Sequence, residues 1–344
     1  MQASVEPLAR AFEDPVAAGG SRRSPQAEMS APTVAGGCNL VGGAAITAVS
    51  GLSPATASER GWLAVYAELF KARLTSLVLL TTMVGFYVGF RGTTDYGLLG
   101  RTLLGTALLA GGAAALNQWL EREFDARMRR TRDRPLPSGR LQPRTVLIVG
   151  GLAALLGVVS LALGVNLTTS VVGTLSLVCY LFVYTPLKRV TWLNTLAGAV
   201  PGALPPLMGW TAARGELSSE GLILFGIQFC WQVPHFMAIA WIYREEYARA
   251  GFKMLPVMDP QGRRTGRQAL GYAVLLLLAS VYPYLFRLAG PIYLVSALVL
   301  GLTFAWFAFQ FVRHATVARA RQLFYASLIY LPVLLAVMVL DKLK

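Results

Sequence analysis

Residues 145–165 read TVLIVGGLAALLGVVSLALGV, a run without one charged side chain. A helix needs about 20 mainly apolar residues to cross the hydrocarbon core of a bilayer, so this run reads as a spanning helix. Working outward, similar runs occupy roughly 72–90, 98–120, 168–186, 193–213, 220–243, 269–288, 291–312 and 322–340. The expected fold class is therefore all-α, a polytopic membrane bundle of about nine transmembrane helices. Composition agrees. Of 344 residues, 55% are hydrophobic and 14% charged, against about 25% charged in soluble domains. A single water-soluble globule is excluded, and so is disorder along the whole length. The net charge of +14 would suit nucleic acid were it spread over a surface. Here Lys and Arg sit in short blocks between apolar runs, as in a membrane protein. Cys38, Cys179 and Cys230 show no CxxC spacing, so no disulfide framework or zinc site is indicated.

The basic blocks sort by loop. One set holds Lys71, Arg73, eight arginines between 122 and 144, Lys188, Arg189, six basic residues between 244 and 267, and Arg313, Arg319 and Arg321. The alternate set holds Arg91, Arg101, Arg214, Arg287, Lys342 and Lys344. The positive-inside rule puts the rich side and the N-terminus in the cytoplasm and, after nine spans, the C-terminus outside. Residues 1–60 are rich in Gly, Ala, Ser and Pro, and glycines break the partly apolar stretch 34–52. They read as a disordered tail ahead of a membrane domain over 61–344. The start MQASVEPLARAFEDP has no basic head with an apolar core behind it, so it does not read as a signal peptide. Its acids also weaken a mitochondrial transit reading.

Ionisable groups at membrane depth are costly and count as functional candidates. The second run ends in Asn117-Gln-Trp-Leu-Glu121-Arg-Glu-Phe-Asp125. Residues four apart share a helix face, so Asn117, Glu121 and Asp125 form one oxygen-bearing stripe at the cytoplasmic mouth. Such hard donors suit Mg²⁺, which keeps waters and bridges to substrate phosphates. An ordinary solvated helix end would also carry acids, but a stripe leaving an apolar span favours function. Next comes Arg127-Met-Arg-Arg-Thr-Arg-Asp-Arg-Pro-Leu-Pro-Ser-Gly-Arg140. The positive-inside signal explains many of these arginines. Beside a metal-binding stripe, guanidinium forks also suit a diphosphate, with Arg129, Arg132 and Arg134 as the choices. Tyr184-Thr-Pro-Leu-Lys188-Arg189 adds two cations at the same surface.

A second constellation, WQVPHFMAIAWIYREEYARAGFKMLP over 231–256, closes the sixth run. Helical spacing puts His235 and Glu246 on one face, and Glu245 and Glu246 at the depth of Glu121 and Asp125. A lone histidine in a span is more often a hydrogen-bonded core residue than a ligand. Two acidic clusters, each leading into a basic loop, make a coarse internal repeat.

These stretches resemble the UbiA superfamily of intramembrane prenyltransferases and, more closely, its protoheme farnesyltransferase branch. NQWLEREFDARMRRTRDRPLPSGRL is similar to the first acidic motif and its M-x-R-T-x-x-R-P loop, YTPLKRVTWLN and PGALPPLMGW to the middle signature, and WQVPHFMAIAWIYREEYARAGFKMLPV to the second motif. The M-x-R-T-x-x-R-P and W-Q-x-P-H-F strings are specific to that branch, whereas the acidic spacing alone points only to the superfamily. The resemblance implies a UbiA-like fold over about 70–340 in a bacterial inner membrane. It implies farnesyl transfer from farnesyl diphosphate to a vinyl group of heme b, with addition of water. It further implies Mg²⁺ held by Asn117, Glu121 and Asp125 with Glu245 and Glu246 opposite, and diphosphate held by Arg129, Arg132, Arg134, Lys188, Arg189 and Lys253. His235 would meet the heme. Other heme-biosynthesis or terminal-oxidase assembly proteins are the implied partners, and nucleic acid is not one. The chain departs from the superfamily in having Glu245-Glu246-Tyr247 where Asp is common and no acid at position 250, which puts the second metal in doubt. Two rivals stand at this point: another aromatic or tetrapyrrole acceptor, and a transporter of an anionic solute.

Overall fold

The structure, a computed structural model, describes residues 61–343; the expected tail, residues 1–60, lies outside the described residues. In chain order the helices are α1 (Trp62–Leu69), α2 (Ala72–Gly89), α3 (Tyr96–Asp125), α4 (Pro143–Gly164), α5 (Leu167–Val190), α6 (Asn194–Arg214), α7 (Ser219–Ile242), α8 (Arg244–Arg249), α9 (Leu255–Met258), α10 (Arg263–Leu285, loosened at Ser280 and Val281), α11 (Pro291–Arg313) and α12 (Val317–Leu340). Eight of them, α2–α5, α7 and α10–α12, are long and apolar enough to cross a membrane. Side-chain caps start several: Asp95 accepts from Leu98 N at 2.9 Å, Asn166 from Thr169 N at 2.8 Å and Thr316 from Arg319 N at 3.3 Å. Pro143 and Pro291 occupy first-turn positions, where a missing N–H costs nothing.

α6 is the ninth expected span. It lies against α2, α3, α5 and α7 and is buried along most of its length, so it has no need of a strongly apolar surface. It stays helical through Pro201, Pro205 and Pro206. Pro205 has no N–H to offer the Pro201 carbonyl, and Ser176 Oγ of α5 donates to that oxygen instead, at 3.0 Å. Glycines set the spacing. A Cβ on Gly209 would lie 1.9 Å from Thr82 O, and one on Gly85 would lie 2.0 Å from Pro206 O, so α2 and α6 touch backbone to backbone. Gly112 does the same between α3 and α4, as its small-residue run predicts: its Cβ would meet Ala154 N at 2.5 Å. From α6 the packing continues α7–α10–α11–α12, and α12 returns to α7 and α2. The outward faces are apolar, with Ile148, Leu152, Leu155, Ile292, Leu302 and Trp306 exposed. Such a surface is stable in lipid and not in water. The chain is a multi-pass membrane protein.

α3 runs unbroken to Asp125, about 45 Å of helix at 1.5 Å per residue, as the four-residue spacing of the oxygen stripe requires. Three features differ from the sequence reading. α5 opens into a π-helical stretch over Cys179–Tyr184, ahead of Pro186, which has no N–H; Thr185 Oγ1 bonds the Tyr180 carbonyl at 2.9 Å. α7 ends at Ile242, with Tyr243 at φ −104° and ψ 19°. His235 and Glu246 therefore do not share one continuous helix face, because the helix on which that inference rests is broken between them. α1 was not foreseen at all.

Candidate active site

Asn117, Glu121 and Asp125 do fall on one face of α3, and all three are buried. Each carries a designated partner. Asn117 Nδ2 donates to Thr185 Oγ1 at 3.0 Å, which leaves its Oδ1 facing Lys71 Nζ at 3.4 Å. Lys188 Nζ donates to Glu121 Oε1 at 2.8 Å and lies 4.4 Å from the centre of the Tyr184 ring. Arg134 Nη1 donates to Asp125 Oδ2 at 2.6 Å. The π-helical stretch and Pro186 thus deliver Thr185 and Lys188 to the stripe from α5, and the arginine-rich loop delivers Arg134. Buried ion pairs of this kind are held against desolvation by close geometry and supporting hydrogen bonds. Here they keep cations beside the oxygen donors that a metal would take.

The loops over this face are pinned by a small apolar core. Met128, Ala250, Phe252 and Met254 are buried together with Ala240, and Phe124 and Tyr247 pack against them. The Phe124 and Phe252 rings stand 5.6 Å apart, and Arg189 lies 3.8 Å over Phe124. Lys253 N donates to Lys188 O at 2.8 Å, and Asn194 Nδ2 to Lys253 O at 3.0 Å. The loop after α8 is thereby tied to the end of α5. Arg130 joins the two acidic clusters: its Nη2 donates to Tyr247 OH at 3.3 Å. Its pKa is raised chiefly by Tyr247, with Tyr243, Glu246 and Asp125 adding to the effect.

The expected residues divide into two groups. Asn117, Glu121, Asp125, Arg134 and Lys188 converge. Arg129, Arg132, Arg189 and Lys253 are exposed on the same loops, and Glu245 is exposed beside Arg244. Glu246 lies between, with Oε2 buried and unpartnered. Among the described residues no three His, Cys, Asp or Glu side chains gather as a metal cage. The donor set is two carboxylates and an amide on one face, with the Glu246 oxygen also free. That set fits Mg²⁺, which uses one or two carboxylates and completes its shell with waters and phosphate oxygens.

His235 sits deeper, between Trp231 and Phe324, with ring centroids at 4.9 and 5.1 Å. Its Nδ1 meets Ser327 Oγ at 2.7 Å, and that hydroxyl donates to Phe324 O at 2.5 Å. With the only hydroxyl hydrogen so used, the network assigns the proton to Nδ1 and leaves a lone pair on Nε2.

Sequence reasoning missed Lys71, Arg130, Thr185 and Tyr247. Lys71 had been counted only as a positive-inside charge. Its signal was its place immediately before α2, at the end of the bundle that carries Asn117. Burial, and next the neighbouring Arg134, pull its pKa down to about 7.

A family model described as the UbiA prenyltransferase family matches residues 78–331. A protoheme IX farnesyltransferase of Solibacter usitatus (strain Ellin6076) is 47% identical over 289 residues, covering 80% of this chain and 98% of that protein. The protein of the same name from Salinibacter ruber (strain DSM 13855 / M31) is also 47% identical, over 276 residues, with coverages of 80% and 98%. Among solved structures, one of digeranylgeranylglyceryl phosphate synthase superposes with a TM-score of 0.70 at 16% identity, covering 81% of this chain and 98% of that one. A UbiA homolog from Archaeoglobus fulgidus bound to GPP and Mg²⁺ gives 0.59 at 16% identity, covering 80% and 99%. At those identities the structural likeness speaks for the fold. With the family model spanning most of the chain and the relatives matched nearly end to end, this chain belongs to the UbiA prenyltransferase family.

Proposed function

We propose that the chain transfers a farnesyl group from farnesyl diphosphate to a vinyl group of heme b, with addition of water. The observation that carries this reading is the near end-to-end match, at 47% identity, to proteins named protoheme IX farnesyltransferase. The transporter reading falls away with membership of a prenyltransferase family. Asn117, Glu121 and Asp125, with Glu246 and Glu245 from the facing loop, would hold Mg²⁺, a metal bound with GPP in the Archaeoglobus fulgidus homolog. When bound, it supplies charge neutralisation to the diphosphate.

The chain's own residues do the rest. Lys188 and Arg134 exchange their carboxylate partners for diphosphate oxygens, and Arg129, Arg132, Arg189 and Lys253 add positive charge from the exposed loops. These fixed cations stabilise the negative charge that builds on the leaving group as its bond to C1 breaks. The apolar bundle keeps water from the allylic cation while the vinyl carbon attacks it. Water then adds to the resulting cation beside the ring and loses a proton, giving the hydroxyl of the product, and diphosphate is released. His235 contacts the heme through its free Nε2. The site faces the cytoplasm of a bacterial inner membrane, and heme-biosynthesis or terminal-oxidase assembly proteins are the partners this reading suggests.

The test is an acceptor panel. Purified protein with farnesyl diphosphate is given heme b, an aromatic acid or a chlorophyll-type ring, with Mg²⁺ or with excess chelator. Prenylation of heme b alone, lost with chelator, supports the reading. Preference for another acceptor overturns it.

A further inference from the structure

The chain turns from α1 into α2 at Lys71, whose backbone is left-handed at φ 48° and ψ 52°. Its N–H bonds the Glu68 carbonyl at 3.1 Å, closing the end of α1. Helices most often end on glycine at this position, because a side chain there is strained. The surroundings fix the conformation. Gln118 Nε2 holds the Leu69 carbonyl at 2.7 Å, Thr75 Oγ1 holds the Phe70 carbonyl at 2.8 Å, and Arg140 pairs with Glu68 at 2.9 Å. Strain that is over-determined in this way calls for a reason in the side chain.

The charges supply one. Lys188 and Arg134 each have a carboxylate, in Glu121 and Asp125. The third cation at the same stripe, half-buried Lys71, has only the neutral Asn117 amide oxygen at 3.4 Å. Two carboxylates facing three cations leave one cation unmatched, and an anion placed here would match it.

We propose that Lys71 is a diphosphate-binding residue, held left-handed between α1 and α2 so that its ammonium meets the substrate's phosphate oxygens beside Lys188 and Arg134. This rests on the reading of the site given above. The test uses full-length protein, with inorganic diphosphate plus Mg²⁺ as the probe and farnesol as the uncharged control. Glycine accepts the left-handed turn, so Lys71→Gly should melt no lower than the wild type. Its diphosphate Kd should rise about tenfold or more, the range for a lost hydrogen bond to a charged group, while farnesol binding is unchanged. Lys71→Arg should recover part of the affinity. Should Lys71→Gly fold poorly, Lys71→Asn serves in its place, since asparagine also tolerates this backbone. Lys188→Met is run alongside. If Lys188→Met loses diphosphate and Lys71→Gly keeps wild-type affinity, this inference alone is overturned. If the wild type itself does not bind diphosphate, the reading of the site fails with it.

Discussion

Removing Glu121 perturbs structure and chemistry at once, and the structure separates the two. Its side chain is 5% exposed, and that of its partner Lys188 is 14% exposed, with 2.8 Å between the charged atoms. Glu121→Ala leaves a buried ammonium without its carboxylate. Breaking a buried pair costs about 3–5 kcal/mol. Lys188 keeps the Tyr184 ring at 4.4 Å and some access to water, so the lower end, about 3 kcal/mol, is expected. Removing both charges in Glu121→Ala/Lys188→Met leaves no orphan, and most of that loss should return. Turnover behaves differently. If the stripe holds the metal, either variant forfeits several kcal/mol of leaving-group stabilisation, about a hundredfold or more in rate. Thermal unfolding in detergent and turnover on the same preparations give the comparison. The account requires an unstable, inactive single variant and a stable, inactive double one. A Glu121→Ala protein as stable as the wild type would refute the ion-pair argument, and a double variant with wild-type turnover would refute the catalytic one.

His235→Phe should weaken heme binding in a spectroscopic titration and leave diphosphate affinity, measured by calorimetry, unchanged; an unchanged heme titration in a stable variant sinks the heme contact. Gly209→Ala should lower stability by about 1–3 kcal/mol or more through overpacking, because its Cβ would meet Thr82 O at 1.9 Å. Gly226→Ala, with open space around its Cβ, should instead gain up to about 1 kcal/mol from helix propensity, and equal thermal shifts in the two variants would contradict the packing account.

The spans were legible because a bilayer demands one simple thing of a sequence, a long uncharged run, and the helices follow those runs closely. α6 was legible as a helix yet not as a buried element packed against four others. Nothing local in its three prolines says that a serine on α5 accommodates one of them. The stripe from Asn117 to Asp125 was legible from spacing because α3 is unbroken. The face shared by His235 and Glu246 was not, since a single non-helical residue, Tyr243, ends the register. Which arginine meets Asp125 depends on how the loop turns, and so Arg134 stood level with Arg129 and Arg132. Met128, Phe252 and Met254 lie in loops that read as basic and solvated, yet they are the apolar core under the site. Lys71 was hidden because a charge at a membrane border already has an ordinary explanation.

The most direct test of the central claim is to incubate the purified protein with heme b, farnesyl diphosphate and Mg²⁺ and weigh the heme. The account predicts a product heavier than heme b by one farnesyl group and one hydroxyl, formed with one diphosphate per heme and absent from the Glu121→Ala reaction. Heme b recovered unchanged, while the same protein prenylates a different acceptor, would contradict it.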